Sequence, residues 1–181
     1  MSVDSAVHAP TTDLHIISAL VENHFGVLAR ISAMFAARSF NIDSLTVGPT
    51  QDPTASRMTV SVKGEAAIVD QIRKQLNKLP EVITVDDLTE SGVYVERELV
   101  LVKVGTDKGD KQQLIELIDE FRPLIADLTD DSLTIQVVAT QMNVERLLDL
   151  LEPYGILEVG RTGVVALKKG GAGLHQTFAM S

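Results

Sequence analysis

The amino-acid sequence predicts an α+β chain made of two ferredoxin-like βαββαβ units in tandem. Three observations predict it. Apolar runs of strand character alternate with stripes at helical spacing, in the order strand, helix, strand, strand, helix, strand. Turn chemistry rich in Pro, Gly, Asp and Asn separates the runs. The same order of elements then recurs after about 75 residues, although the two halves share little identity.

The first element, residues 13–21 (DLHIISALV), has almost no polar face, which suits a strand paired deep in a sheet. From residue 27 the period changes. Val27, Leu28, Ile31, Met34 and Phe35 form one stripe of a helix over 27–38, with Arg30 and Arg38 outside it. Residues 42–47 (IDSLTV) and 57–63 (RMTVSVK) predict a hairpin with Met58, Val60 and Val62 inward, joined through the turn residues PTQDP at 49–53. A second helix over 65–78 carries Ile68, Ile72, Leu76 and Leu79, and Pro80 stops it. A strand over 82–88 completes the unit.

The second unit opens with a strand over 95–105 (VERELVLVKVG), followed by a helix over 111–121 striped by Leu114, Leu117, Ile118 and Phe121. Residues 124–128 and 133–138 flank TDDS, a hairpin signal. Val144, Leu147, Leu148 and Leu151 stripe the last helix, closed by Pro153 and Gly155, and 156–167 is the last strand region. The expected organisation is a flexible N-terminus over 1–12, a first domain over 13–89, a linker over 90–94, a second domain over 95–169 and a flexible tail over 170–181.

Composition narrows the function. Apolar residues make up 45% and charged residues 23%, ordinary for a globular protein. Aromatics are only 4%, with no Trp and two Tyr, so base-stacking platforms lack material. A net charge of −9 argues against a phosphate-binding surface, and nucleic acid is not an expected partner. With no cysteine, disulfides, thiolate zinc sites and cysteine nucleophiles are excluded. No apolar run approaches the roughly 20 residues needed to span a bilayer. The first ten residues carry Asp4 and no Arg, Lys or apolar block, so neither a secretory signal nor a transit peptide is expected. A cytoplasmic protein with no membrane partner is the resulting expectation.

Candidates for chemistry are few. His8, His15, His24 and His175 have no second His or carboxylate at metal spacing, which suits surface or packing roles better than ligation. The pairs Asp86-Asp87 and Asp130-Asp131 match ordinary strand and turn usage, so no metal is expected. The stretch from Gly105 to Lys111 lacks phosphate-loop spacing and holds two Asp that would repel a phosphate. Ser18, Ser32, Ser44 and Ser56 sit in no G-x-S-x-G elbow, so no catalytic residues and no cofactor site are expected in this chain.

One junction stands out. Between the first strand and the first helix the chain reads Glu22-Asn23-His24-Phe25-Gly26. The amides of Gly26, Val27 and Leu28 are unpaired donors at a helix start, where the dipole adds positive charge and makes a seat for a carboxylate. Asn23 supplies a neutral amide able to donate and accept, suited to a zwitterion. Spacing alone favours a plain turn, with Asn23 as cap and Gly26 supplying an unusual φ.

The wider sequence shifts that balance. The segments E-N-x-x-G-V-L-x-R at Glu22–Arg30, N-I-D-S-L-T-V at Asn41–Val47 and P-T-x-D-P-x-x-S-R-M-T at Pro49–Thr59, with VERELVLVKV and VGRTGVVALKKG in the second half, resemble the regulatory (small) subunit of acetolactate synthase, also called acetohydroxyacid synthase. The resemblance spans about Leu14–Lys169, and its first half is an ACT domain. It implies a non-catalytic subunit that binds and stimulates a thiamine-diphosphate-dependent catalytic subunit. It also implies feedback inhibition by valine or another branched-chain amino acid, held where two ACT domains pair edge to edge as a homodimer. Thiamine diphosphate, Mg and FAD would belong to the catalytic subunit only. Carried onto this chain, Asn23 and the amides of Gly26, Val27 and Leu28 hold the effector, and Asn41 and Ile42 reach it across the dimer. Phe25, Val27 and Ile42 supply an apolar wall. The rivals are a free-standing ACT-type amino-acid sensor or transcription co-regulator, and a small ferredoxin-like enzyme active alone.

Overall fold

The computed structural model describes residues 14–106 and 111–171. The expected extension over 1–12, residues 107–110 of the glycine loop, and 172–181 of the expected tail lie outside the described residues, as do His8 and His175. By their contacts the described residues form two compact units, 14–43 with 47–92, and 44–46 with 93–171.

The first unit runs β1 (Leu14–Glu22), α1 (Val27–Ala37), β2 (Ser44–Pro49), β3 (Ala55–Lys63), α2 (Ala66–Leu76) and β4 (Val82–Asp87), followed by a helical turn α3 (Leu88–Ser91). Its strands lie in the order β2-β3-β1-β4. β1 is central and antiparallel to both β3 and β4, which explains its largely apolar run. Every residue from Ile16 to Val21 is buried. The register sets Ile17 beside Val60 and Ala19 beside Met58, so these four point to one face of the sheet. The opposite face is buried as well: Ser18, Thr59 and Ser61 have at most 2% exposure. Alternation in β3 therefore separates apolar from hydroxyl residues, not inside from outside. The Arg57 guanidinium donates to the Ser18 hydroxyl at 2.8 Å, and burial pushes its pKa below the usual arginine value.

The helices differ from expectation in phase. α1 buries Val27, Ile31, Met34 and Phe35, while Leu28 is exposed. α2 buries Val69, Ile72 and Leu76, and Ile68 is turned aside, its Cδ1 3.5 Å from where a Cβ on Gly64 would sit. Both phases of α2 offer an apolar stripe, and the sheet selects the one through Val69. The strand expected to run to Leu88 ends at Asp87, because the Asp87 carboxylate accepts from the Thr89 and Glu90 amides and caps α3.

The second unit runs β5 (Tyr94–Gly105), α4 (Lys111–Ile118), β6 (Leu124–Leu128), β7 (Ser132–Ala139), α5 (Gln141–Leu151), β8 (Ile156–Arg161) and β9 (Val165–Lys168), with 3-10 turns ending α4 and α5. The sheet order is β6-β7-β5-β8, and β9 pairs with the first residues of β5. The last strand region is thus two strands, broken where Gly163 takes φ 78°. Val100, Val102 and Val104 of β5 and Leu133, Ile135 and Val137 of β7 share one face, packed with Leu114, Ile118, Val144, Leu147 and Leu151 of the helices. At the sheet edge, β6 is exposed along its whole length, and its pairing with β7 slips between Ile125 and Asp127. The expected tandem βαββαβ arrangement is the one observed.

At the start of the second sheet, burial raises the Glu96 carboxyl above its ordinary range; the Gln141 backbone N–H, donating at 3.4 Å, opposes this and the Glu98 charge adds to it. Its Oε2 is buried with no hydrogen-bond partner. A raised carboxyl makes the folded chain hold its proton more tightly than the unfolded one, so this contribution is present at acid pH and lost as pH rises through the folded value. Glu96→Gln is expected to raise the melting midpoint by a few degrees near neutral pH. The gain should shrink as pH falls below the ordinary carboxylate range, which thermal denaturation at both pH values would show.

Candidate functional site

β1 ends at Glu22 and α1 begins at Val27, and the turn between them is built from both sides. Gly26 is the N-cap residue with φ 88° and ψ −12°, a left-handed conformation in which a side chain is strained. No side chain caps α1, so its first-turn amides keep their donor capacity beside the positive end of the helix dipole. Asn23 therefore does not play the cap of the plain-turn reading. Its backbone N–H donates to the Thr54 carbonyl at 2.7 Å and its side-chain Nδ2 to the Pro53 carbonyl at 3.0 Å. With one N–H of the side-chain amide engaged, Asn23 has its oxygen as an acceptor and a second N–H as a donor.

The loop between β2 and β3 is itself pinned. Asp52 Oδ1 accepts from the Thr54 N–H at 2.8 Å and the Thr54 hydroxyl at 2.6 Å, and the Thr50 hydroxyl accepts from the Asp52 N–H at 3.1 Å. Behind the turn, Arg30 of α1 pairs with the largely buried Glu81 at 2.6 Å, and the Glu22 N–H donates to the Glu81 carbonyl. The junction is thus held to the loop on one side and to the start of β4 on the other.

These constraints leave a pocket of about 340 Å³, counting its open mouth. It is lined by Val21, Glu22, Asn23, His24, Val27, Leu28, Ile31, Val47, Ser56 and Met58. Leu28, exposed and off the core-facing stripe, is here a wall residue. Of the residues singled out in sequence, Asn23, Val27 and Leu28 line the pocket, and Gly26 shapes the turn between His24 and Val27. Phe25 is fully exposed and outside the lining. Asn41 and Ile42 precede β2 and do not line the pocket within this protomer. Val47, Ser56 and Met58 were not foreseen; the β1–β3 register, which sets Val21 opposite Ser56, brings the latter two in.

Glu22 and His24 were not foreseen either. His24 Nε2 lies 2.8 Å from Glu22 Oε2 and Nδ1 lies 3.0 Å from the Phe25 carbonyl oxygen. The Phe25 carbonyl and then the Glu22 carboxylate raise the His24 pKa above its ordinary value, slight desolvation opposes them, and the charges of Glu22 and Glu81 add to the rise.

Residues 17–84 match the family described as AHAS small subunit-like ACT domain, and residues 97–170 match the small subunit of acetolactate synthase. A probable acetolactate synthase small subunit of Archaeoglobus fulgidus is 46% identical over 156 residues, covering 86% of this chain and 97% of that protein. The chain belongs to the acetolactate synthase small-subunit family. The acetolactate synthase small subunit of Mycolicibacterium smegmatis is 45% identical over 163 residues, covering 90% of this chain and 95% of its own length. The crystal structure of the small subunit from Thermotoga maritima superposes with a TM-score of 0.79 at 37% identity, over 88% of this chain and 99% of that one. The pocket of this chain lies at the strand–helix turn inside the segment that matches the ACT domain.

Asp52→Ala removes the acceptor that folds the loop against Asn23. Loss of such a bond costs about 1 kcal/mol. Hydrogen exchange is therefore expected to show the Asn23 backbone amide exchanging several-fold faster in the variant, with core amides of β1 unchanged.

Proposed function

We propose that the chain is a non-catalytic regulatory subunit that binds and stimulates the thiamine-diphosphate-dependent acetolactate synthase catalytic subunit and makes it sensitive to feedback by a branched-chain amino acid. The observation that carries this reading is the pocket at the β1–α1 turn. It is lined by Asn23, by Val27 and Leu28 at the uncapped start of α1, and by the apolar residues Val21, Ile31 and Met58. A small aliphatic zwitterion needs those three features: anion-binding donors, a neutral polar partner and an apolar wall. Family membership supplies the setting.

In this proposal two ACT domains pair as a homodimer, and Asn41 and Ile42 of the second copy close the pocket that they do not line within one protomer. Thiamine diphosphate, Mg and FAD stay on the catalytic subunit, and this chain carries no cofactor and turns over nothing alone. Work in the cytoplasm on branched-chain amino acid biosynthesis follows from the same reading. The effector inhibits because it binds one conformation of the assembly better than another, and the catalytic subunit must then alter effector affinity by the same factor.

The test mixes the purified chain with the catalytic subunit, with and without valine. Stimulation together with valine sensitivity supports the proposal. No stimulation of any acetolactate synthase catalytic subunit would point to a free-standing amino-acid sensor, and turnover by this chain alone would point to an enzyme. Gly26→Asp places a like charge at the carboxylate seat and is expected to weaken inhibition about tenfold or more while stimulation persists. Gly26→Ala brings the same left-handed strain without the charge, and a Cβ there meets nothing within 4 Å. It should stay inhibited, which separates charge from strain; equal inhibition of both variants and the wild type would remove the seat from Gly26.

A further inference from the structure

We propose that the Glu22 carboxylate is the seat of the effector's ammonium group, and that the His24 side chain occupies this seat as a resident cation until the amino acid displaces it. The inference rests on the pocket being an amino-acid site, as argued above, and assigns the half of the zwitterion that the helix start cannot serve.

An α-amino acid brings one anionic and one cationic group. The start of α1 suits the anion and repels the cation. The ammonium needs acceptors; the Asn23 side chain gives one N–H to Pro53, and the acceptor that it has, its amide oxygen, carries no formal charge. Among the residues lining the pocket, Glu22 alone is a carboxylate, and it is the neighbour of Asn23 at the end of β1.

The geometry around His24 places a basic ring on this carboxylate. One ring nitrogen meets the Glu22 carboxylate at 2.8 Å and the other meets the Phe25 carbonyl at 3.0 Å. A carbonyl oxygen and an ionised carboxylate only accept, so both ring nitrogens must donate, and a ring that donates from both is the imidazolium. Both side chains are about half exposed, at 54% and 48%, so the contact is open to exchange.

Displacement replaces one cation on Glu22 by another. The imidazolium then loses its carboxylate partner and faces an ammonium, which favours release of its proton to solvent. The other charges near it do not alter that sign. Glu81, ahead of β4, adds to the pull on the His24 proton but has Arg30 of α1 as its own partner, away from the exchange on Glu22. β2 and β3 present Val47, Ser56 and Met58, which carry no charge. Effector affinity should therefore rise as pH rises through the His24 titration. The opposite role, imidazolium as partner of the effector carboxylate, requires affinity to fall over the same interval.

The experiment is calorimetric titration of the full chain with valine at several pH values from about 6 to about 8.5, bracketing the histidine range, in buffers of different ionisation enthalpy. Expected are an affinity gain of up to about tenfold towards the alkaline end, the equivalent of one pKa unit, and proton release that is greatest in the interval over which affinity rises. His24→Gln should flatten the profile at its tighter level, and Glu22→Gln should weaken valine binding at every pH. A wild-type profile that is flat or falls with pH, or a folded Glu22→Gln variant that binds as tightly as the wild type, overturns the assignment while leaving the pocket an amino-acid site. Should Glu22→Gln fail to fold, the wild-type profile and its proton count decide alone. Absence of valine, leucine or isoleucine binding at any pH would instead overturn the functional reading on which the assignment rests.

Discussion

The antiparallel pairing of β1 with β3 is the constraint from which the rest of the first unit follows. It runs from Leu14 opposite Lys63 to Glu22 opposite Ala55 without a slip. A shift of β3 by one residue would turn Met58 and Val60 away from the face they share with Ile17 and Ala19 and bring Thr59 and Ser61 there instead. The same register carries the start of β3, and the loop before it, up to the end of β1. Core and pocket are in this sense one arrangement, and a change that disturbs the pairing reaches both.

The turn at the pocket is shaped by backbone conformation. The left-handed Gly26 lets the chain turn sharply into α1, and the absence of a capping side chain leaves the helix start available. Asn23 looks like a cap in sequence but is recruited by the opposite loop, through Pro53 and Thr54. Because Asn23 is tied to that loop and Glu22 to Glu81, the turn has little freedom to close on itself. A preformed donor set of this kind loses little entropy when a small ligand arrives.

Much of the fold was legible because each element carries its own period. The largely apolar run of β1 announces a central strand, and the stripes through Ile31 and Leu147 announce helices. What sequence does not carry is the choice between equal alternatives and the identity of distant neighbours. Ile68 and Val69 each continue an apolar stripe through Ile72, and only the sheet decides between them. Leu28 fits the stripe of α1 but faces a pocket whose far wall, Ser56 and Met58, is supplied by strand pairing. The α3 turn had a local signal, Asp87 followed three residues later by Glu90, that apolar periodicity passes over. Glu22 and His24 read as solvated turn residues until their separation is known.

The exposed edge of the second sheet has a consequence for the protein in concentrated solution. β6 displays Leu124, Ile125 and Leu128 beside backbone groups unpaired on their outer side, the combination that invites a foreign strand to add on. The slipped register after Ile125 bends that edge, and Asp127 places a charge in its middle. A bent, charged edge is a poor template for amyloid-like stacking, so this short irregularity acts as a guard against aggregation.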